Sequence, residues 1–455
     1  MPLDIAVATE LCRRLQQDDF IAVLAGGCVR DRLLGREPKD LDIATSATPE
    51  EVVETLGKSF NIFPKGMSFG VMSAVVNGCE YEIATLRSDG DYSDGRRPDS
   101  VAFVNSLEAD AARRDFTINS MFLDPMTGEL FDFFGGHEDL QRKLIRCVGS
   151  PSARFSEDHL RMLRAVRFAA QLGFTIDFPT VGGIVALAYE LKTVSSERIR
   201  DEFEKILCSQ DPRLGLKMTF WFNMIQQFLP EIVSCVEGPR SYQDRIHHPE
   251  GTVWDHTLLV MDELNGSSFE LMLGGLLHDI GKPNTQVITD EGRITNHGHA
   301  EVGAEIATTI CRRLKLSTAQ TEHVTTLVAQ HMRMHIVDEM SNSKLRRLLE
   351  NPYYDDLVSL QHADVNGTTL PEAERLRKSQ RLFLEQKRAY FATLPEPQRV
   401  GADNLITGDI LIEHFNLTPG PQFKPILLAA QEAQAEGEFE TIEGGIEWLK
   451  TQTLF

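Results

Sequence analysis

No C-x-x-C pair occurs among the seven scattered cysteines of this 455-residue chain. Their spacing suggests neither a disulfide framework nor a thiolate zinc site. No apolar run approaches the roughly 18 residues of a membrane span. The N-terminus has no secretory pattern, so the cytoplasm is the expected location and no membrane partner is expected. Internal repeats and low-complexity segments are also missing. Positive charge is scarce: 46 Lys and Arg stand against 67 Asp and Glu, a net charge of −21. Taken globally, that balance argues against an RNA-binding surface, because phosphates need Lys and Arg. The balance is local, however. Residues 141–215 hold 12 basic against 9 acidic side chains, and residues 401–455 hold 2 against 9. A basic middle with an acidic tail is compatible with RNA gripped at one place.

The chain is too long for one core, and two to four domains are expected. A hydrophobic share of 42% and a charged share of 25% describe an ordinary globular protein. Its most informative stretch is Gly26 to Ile43, GGCVRDRLLGREPKDLDI, preceded by the apolar run Ile21 to Ala25. The run reads as a buried strand feeding a glycine turn. Gly26 and Gly27 let the backbone pass close to a phosphate at the start of a helix. Arg30 then sits near that helix N-terminus as a charged phosphate partner. Asp40-Leu41-Asp42-Ile43 alternates acid and apolar at period two, which on a strand places both carboxylates on one face. Two bare carboxylates side by side repel, and a shared hard cation such as Mg²⁺ relieves them.

The GG-x-VRD-x-LLG stretch followed by D-x-D resembles the head of the class II tRNA nucleotidyltransferases and bacterial poly(A) polymerases, template-independent enzymes of the polymerase-β superfamily. The resemblance implies that Asp40 and Asp42 hold two Mg²⁺ ions for in-line attack of an RNA 3′-hydroxyl on a nucleotide α-phosphate. One metal would lower the pKa of the hydroxyl and the other would steady the pyrophosphate. Gly27 and Arg30 become nucleotide-binding residues.

Upstream of the glycine turn, Leu11, Leu15 and Phe20 among polar neighbours read as an amphipathic helix. Downstream, Thr48-Pro49-Glu50-Glu51 signals a capped helix start. Strands are expected over 68–76 and 79–86, joined at Asn77-Gly78, the strongest short hairpin signal. Glu80, Glu82 and Ala84 share one face of the second strand. The family places a third carboxylate here, which makes Glu82 the candidate; the alternative is a surface glutamate. Residues 87–104, RSDGDYSDGRRPDSVAFV, are too irregular for an element and too long for an idle loop. They resemble a flexible loop whose Arg-Arg-Pro helps to add the last adenosine. Residues 111–121, AARRDFTINSM, resemble the family's second motif, which implies ribose contacts for Asp115 and Asn119 and a phosphate contact for Arg114. The spacing of Asp115 and Asn119 puts them on one helical face. Phe131 to Gly136 closes the head as a strand and turn.

From Leu140 the pattern turns helical. Over 154–170, RFSEDHLRMLRAVRFAA, Leu160, Leu163, Val166 and Ala170 form an apolar stripe. Asp158, Arg161, Arg164 and Arg167 recur every three residues as a charged ridge of one expected helix. On an ordinary surface these would be weak solvated pairs. The string resembles the family's protein template, in which Asp158 and Arg161 read the incoming base and Arg164 and Arg167 belong to the nucleotide site. Cytosine and adenine both offer an amino donor beside a ring-nitrogen acceptor, so one carboxylate and one guanidinium select both and mismatch uracil and guanine. A second neck helix is expected over 195–207 with Ser195 as its cap, and an apolar helical core segment over 220–229.

The second constellation is His256, His278, Asp279, His299, His331 and Asp364, in VWDHTLLV, GGLLHDIGKP, GHAEVGAE, AQHMRMH and LQHADVNG. A single histidine on an apolar helix is more often a satisfied core residue. The ordered set resembles the HD superfamily of metal-dependent phosphohydrolases. The resemblance implies one metal on His256, His278, Asp279 and Asp364, with His299 and His331 available for a second; His297 is an alternative to His299. Mixed nitrogen and carboxylate ligands suit Ni²⁺, Mn²⁺, Co²⁺, Fe²⁺ or Zn²⁺ better than Ca²⁺. A charged helix over 372–391 then leads to a helical acidic tail.

The expected fold is an α+β nucleotidyltransferase head, a mixed β-sheet flanked by helices, followed by all-α neck, HD and tail domains. The expected divisions are 1–140, 141–235, 236–370 and 371–455. The resemblance implies CCA addition to the 3′ end of tRNA from CTP and ATP, with a possible second activity as an HD phosphohydrolase. A bacterial poly(A) polymerase or an A-adding enzyme shares nearly every motif. An HD nucleotide phosphohydrolase with an RNA-binding head is the reading from another class. Oligomeric state is not read from these motifs.

Overall fold

The computed structural model describes residues 4–452 apart from 91, 93, 94, 97, 247, 341, 369–372, 394–403, 436, 437 and 440. The chain divides into two compact units, one of residues 1–241, 264–273 and 306–321, the other of residues 242–263, 274–305 and 322–455.

The first unit opens with the expected amphipathic helix, Ile5–Gln17, which buries Ala8, Leu11, Cys12 and Leu15. Its strands are β1 (Ala22–Ala25), β2 (Asp42–Thr45), β3 (Asn61–Gly66), β4 (Val71–Val76), β5 (Cys79–Thr85), β6 (Arg87–Asp89), β7 (Val101–Phe103), β8 (Phe122–Leu123) and β9 (Leu130–Phe131). Seven of them form one mixed sheet in the order β3-β4-β5-β2-β1-β8-β9. Only β2 and β5 pair in parallel, and their register sets Asp42 opposite Glu82 and Ala44 opposite Ala84. Residues in register share a face, so the chain crossover that joins β2 to β5 creates the carboxylate pair. Leu41 and Ile43 are buried on the other side, as period two demands. Strand β2 starts at Asp42, however, so Asp40 lies just before it rather than on it.

Local signals set the connections. Thr48 caps the helix Pro49–Leu56 and Glu51 reaches back to the Thr48 N–H, a complete capping box, a device worth about 1 kcal/mol. The β4–β5 hairpin turns through Asn77 and Gly78, both at positive φ (53° and 77°), as a two-residue turn matched to strand twist requires. The stretch expected to be irregular holds an element after all. Strands β6 and β7 pair antiparallel, Arg87 with Phe103 and Asp89 with Val101. Alternation is hidden there because both strands are three residues long; Arg97 of the Arg-Arg-Pro string lies outside the described residues. Phe116, Phe122 and Tyr81 are fully buried in the head core.

Beyond the sheet the first unit is helical, save for a two-residue parallel pairing of Leu144–Ile145 with Thr175–Ile176. The single helix expected over 154–170 is two, Pro151–Glu157 and Arg161–Leu172. Asp158 breaks it. Its backbone is extended (φ −145°, ψ 105°), and its Oδ1 accepts the Leu160 N–H at 3.1 Å, the local bond by which aspartate competes with a helix. The helix Ser196–Leu207 follows, with Ser195 at the cap position but no bond from its side chain. The segment over 220–229 is not one helix. The helix Pro212–Trp221 ends there, and a single 3₁₀ turn, Ile225–Gln227, follows, with Asn223 at positive φ (57°) between them.

The second unit is helical around Val253–Glu263 and Tyr354–Asn366, which pack on each other. It has one short hairpin, Val287–Ile288 with Ile294–Thr295. The charged helix runs from Ala373 to Thr393. The tail helices Gly408–Phe415, Phe423–Ala435 and Ile442–Thr451 close over Leu411, Ile426, Ala430, Phe439 and Leu449. No helix among the described residues is long and apolar enough to cross a membrane.

Candidate functional site

One cleft of about 560 Å³ gathers Gly27, Arg30, Asp40, Asp42, Glu82, Arg114, Asp115, Asn119, Arg161, Arg164 and Arg167. Asp158, singled out with them, does not line it.

At its floor, β1 ends in Gly26, whose φ of +71° is one that side chains rarely adopt; a Cβ there would lie 2.8 Å from Arg114 Nη1. The backbone conformation therefore requires glycine here. The helix Gly27–Leu33 carries Arg30, which donates through Nη1 to Asn119 Oδ1 at 2.7 Å. On the sheet, burial pushes the Asp42 carboxyl up to about 6, helped by Glu82 and Asp40 and opposed by Arg114 and Lys65. Three carboxylates crowding one corner, one of them held away from its ionised form, are an oxygen donor set suited to a hard divalent cation. Lys65, which the sequence reading missed, stands 3.2 Å from Glu82 Oε2 and 2.8 Å from Glu80 Oε1.

The second motif is not helical through Asp115: a 3₁₀ turn spans Thr117–Asn119. The two side chains meet nonetheless, Asn119 Nδ2 donating to Asp115 Oδ1 at 3.3 Å. Asp115 is buried, and Arg164 donates to its Oδ2 through Nε (2.8 Å) and Nη2 (2.6 Å). Burial alone would raise this carboxyl, but Arg164 and Arg161 hold it down at about 2. Arg114 is anchored by Asp110 at 2.9 Å, as is Arg113 at 2.6 Å.

Arg161 and Asp158 do not face each other. Arg161 bonds Glu157 and donates to the Arg113 carbonyl at 3.2 Å. Asp158 Oδ2 instead accepts from Arg198 at 2.8 Å, a residue 40 positions away on the next neck helix. The break at Asp158 accounts for this, since it removes the carboxylate from the ridge that carries Arg161, Arg164 and Arg167.

In the second unit all six expected residues converge. Asp279 is the hub. Its Oδ1 lies 3.3 Å from His299 Nε2 and 3.8 Å from His331 Nε2, and its Oδ2 lies 3.2 Å from His278 Nε2 and 3.8 Å from His256 Nε2. Asp364 Oδ1 is 2.9 Å from His256 Nε2. The Nδ1 atoms of His278, His299 and His331 sit 2.8, 2.8 and 2.7 Å from the carbonyls of Gly275, Asn296 and Val328. A carbonyl only accepts, so each Nδ1 carries the proton and each Nε2 turns a lone pair inward. Two such lone pairs, on His299 and His331, stand 3.2 Å apart, and the buried Nε2 of His278 has no hydrogen bond. Converging lone pairs beside carboxylates are what a transition-metal ion satisfies. Burial beside His278 drops His331 to about 3. For His256 burial acts downward too, but bonds to Asp364 and Glu250 prevail and raise it to about 9. His297, the alternative to His299, lines the cavity of about 1220 Å³ beside this centre; like Asp364, it is in none of the possible metal-holding groups found among the described residues.

Four further residues complete the cluster. Glu250 Oε1 bonds both His248 Nδ1 (2.8 Å) and His256 Nδ1 (3.1 Å). Lys282 Nζ meets Asp279 Oδ2 at 2.6 Å, and His335 Nε2 meets Asp364 Oδ2 at 3.0 Å. The signals were present as spacings. Lys282 follows Asp279 by three, and His335 follows His331 by four, each one turn on.

A strand–glycine turn–helix head with three acids facing a row of arginines, and a separate His/Asp centre, define a nucleotidyltransferase-type head joined to an HD domain. Comparison with known proteins agrees. Residues 22–146 match the poly A polymerase head domain, residues 173–235 the family described as "Probable RNA and SrmB- binding site of polymerase A", and residues 245–365 the HD domain. The three matches follow one another along the chain in the order head, RNA-binding segment and HD domain. It is 44% identical over 230 residues to the CCA-adding enzyme of Limosilactobacillus reuteri, covering 50% of this chain and 56% of that protein. It is 48% identical over 200 residues to that of Geobacillus thermodenitrificans, covering 44% and 48%. The aligned part thus spans about half the length of these curated relatives. The Bacillus stearothermophilus CCA-adding enzyme in complex with CTP is similar over 99% of this chain and 98% of that one, at 26% identity and a TM-score of 0.65. The Thermotoga maritima CCA-adding enzyme complexed with tRNA shares the fold at 21% identity and a TM-score of 0.58, over 98% of this chain and 96% of that one.

Proposed function

We propose that the protein adds CCA to the 3′ end of tRNA from CTP and ATP, releasing pyrophosphate. The observation that carries this is the single cleft in which Asp40, Asp42 and Glu82 stand across from Arg30, Arg114, Arg161, Arg164 and Arg167. Acids on one side suit Mg²⁺ and guanidinium groups on the other suit a triphosphate. Asp40 and Asp42, with Glu82 beside them, would hold Mg²⁺, which when bound activates the attacking 3′-hydroxyl and offsets charge on the leaving pyrophosphate. Gly27, Arg30 and Arg114 receive phosphates, and Asp115 and Asn119, already bonded to each other, orient the ribose. Arg161 and Asp158 select the base. In the arrangement described Asp158 is held by Arg198, so base reading requires Asp158 to exchange that partner for the nucleotide. Relatives named as CCA-adding enzymes, one of them solved with CTP, support the choice of reaction.

Within this reading the head is 1–140, the neck 141–235, the HD domain 236–370 and the tail 371–455. The matches at 22–146, 173–235 and 245–365 support the order. A second activity is favoured by the inward-facing imidazole lone pairs around Asp279: hydrolysis of a phosphate ester at the HD centre, with His256, His278, Asp279, His299, His331 and Asp364 as ligands for Ni²⁺, Mn²⁺, Co²⁺, Fe²⁺ or Zn²⁺. Cyclic 2′,3′-phosphate ends fit, because an RNA blocked that way offers no hydroxyl to extend.

The decisive experiment incubates the protein with Mg²⁺, labelled CTP or ATP, and tRNA ending one, two or three residues short. Addition of only the missing residues is expected. Long A-tails on any RNA would replace the reading with poly(A) polymerase activity, and addition of A alone would make it an A-adding enzyme.

A further inference from the structure

We propose that Phe168 is a positioning residue for the nucleotide's phosphates, its ring serving as a common platform for three arginines of the cleft. The inference rests on the nucleotidyltransferase reading above and deepens it.

Phe168 lies on the helix Arg161–Leu172, is buried, and lines the cleft. The guanidinium carbons of Arg30, Arg164 and Arg167 stand 5.2, 5.4 and 4.1 Å from its ring centroid. Arg164 and Arg167 come from its own helix, while Arg30 arrives from the helix after the glycine turn. The ring itself is fixed edge-to-face on Phe116, at 5.8 Å and 81°, next in sequence to Asp115. Phe168 thus joins the phosphate, ribose and base-reading segments at one point.

The chemistry favours a ring over an acid in this place. A π-face attracts cations within about 6 Å without accepting their N–H bonds. A carboxylate would attract them too, but would occupy the donors that a phosphate needs. Each arginine is also tethered elsewhere: Arg30 to Asn119 at 2.7 Å and Asp31 at 2.8 Å, Arg164 to Asp115 through two bonds of 2.8 and 2.6 Å, and Arg167 to Glu202 at 2.6 Å. Each guanidinium carries five donors, so some remain on each for a ligand. Each of the three has a carboxylate partner, Asp31, Asp115 or Glu202, and a polyanion such as triphosphate or pyrophosphate meets the donors that these pairs leave open.

Phe168→Leu keeps an apolar side chain and removes the quadrupole, whereas Phe168→Tyr keeps the ring. The measurements are melting temperature, KM and kcat for CTP and ATP with tRNA lacking CCA, and inhibition by pyrophosphate. In the Leu variant KM for both nucleotides and Ki for pyrophosphate should rise together by roughly tenfold. The preference for CTP over UTP should not change, because no base contact is lost. The Tyr variant should restore both constants. A purely packing role would lower the melting temperature and kcat and leave the pyrophosphate constant unmoved, and that result, or unchanged KM in a folded Leu variant, would overturn the proposal. A wild type that binds neither CTP nor pyrophosphate would overturn the nucleotidyltransferase reading itself, and the proposal with it.

Discussion

Arg164 gives two hydrogen bonds to one carboxylate oxygen of Asp115, 49 residues earlier in the chain, at 2.8 and 2.6 Å. The pair ties the neck helix to the second motif of the head, and it carries a pH signature. The folded carboxyl sits at about 2 against a usual 3.8. A depressed acid contributes its stability above the unfolded value and loses it as pH falls through the folded one. Asp115→Asn should therefore be destabilising by about 2 kcal/mol at neutral pH. Melting curves between pH 6 and 2 check this: the gap between wild type and variant should narrow below about pH 4 and close near pH 2. A constant gap would mean that the ionised form is not what Arg164 stabilises.

Asp40→Ala and Asp42→Ala should each reduce nucleotide transfer by roughly a thousandfold or more. Neither should cost stability, because Asp42 is repelled by Glu82 and Asp40 in the folded state. Single-nucleotide incorporation and thermal melting, run side by side, test both halves. Substantial turnover by either variant would place the metal elsewhere.

Asp158→Ala and Arg161→Ala should relax the rejection of UTP and GTP, each lost contact being worth about 1–3 kcal/mol. Competition between CTP and UTP on one tRNA is the measurement. Asp158→Ala has a further consequence, since it also frees Arg198. Arg198→Ala should thus leave base preference intact while Asp158→Ala does not. Equal selectivity in all three proteins would show that the pair only braces the neck.

At the HD centre the double change His278→Ala with Asp279→Ala should abolish hydrolysis of cyclic and simple phosphate esters and spare CCA addition, while Asp40→Ala does the reverse. Chelation followed by readdition of Ni²⁺, Mn²⁺, Co²⁺ or Zn²⁺ should remove and restore the first activity only. If the wild type hydrolyses no such ester with any of these ions, the centre is a brace for its helices.

Much of the head was legible because its signals are local. The glycine turn, the Thr48 cap and the Asn77-Gly78 hairpin depend on residues a few positions apart, and the structure reproduces each. The β6–β7 pair was not legible, since three-residue strands are too short to show alternation. The break at Asp158 was hidden for a different reason. Its neighbours keep perfect helical spacing, and only the bond from its carboxylate to the Leu160 N–H ends the helix.

Sequence by itself singled out the candidate side chains: two acids at period two, a ridge of arginines, six His and Asp residues in order. Those choices follow from residue type and spacing. Tertiary structure alone decided who meets whom. Asp42 faces Glu82 because β2 and β5 run in parallel register, and Arg161 turns to Glu157 because Asp158 has left its helix. His335 meets Asp364, 29 residues on, by packing of separate segments, whereas Lys282, Glu250 and His248 reach the HD cluster through partners within six residues. Spacing encodes a face of one element. The partner across a cleft is set by how elements pack, and no local pattern records it.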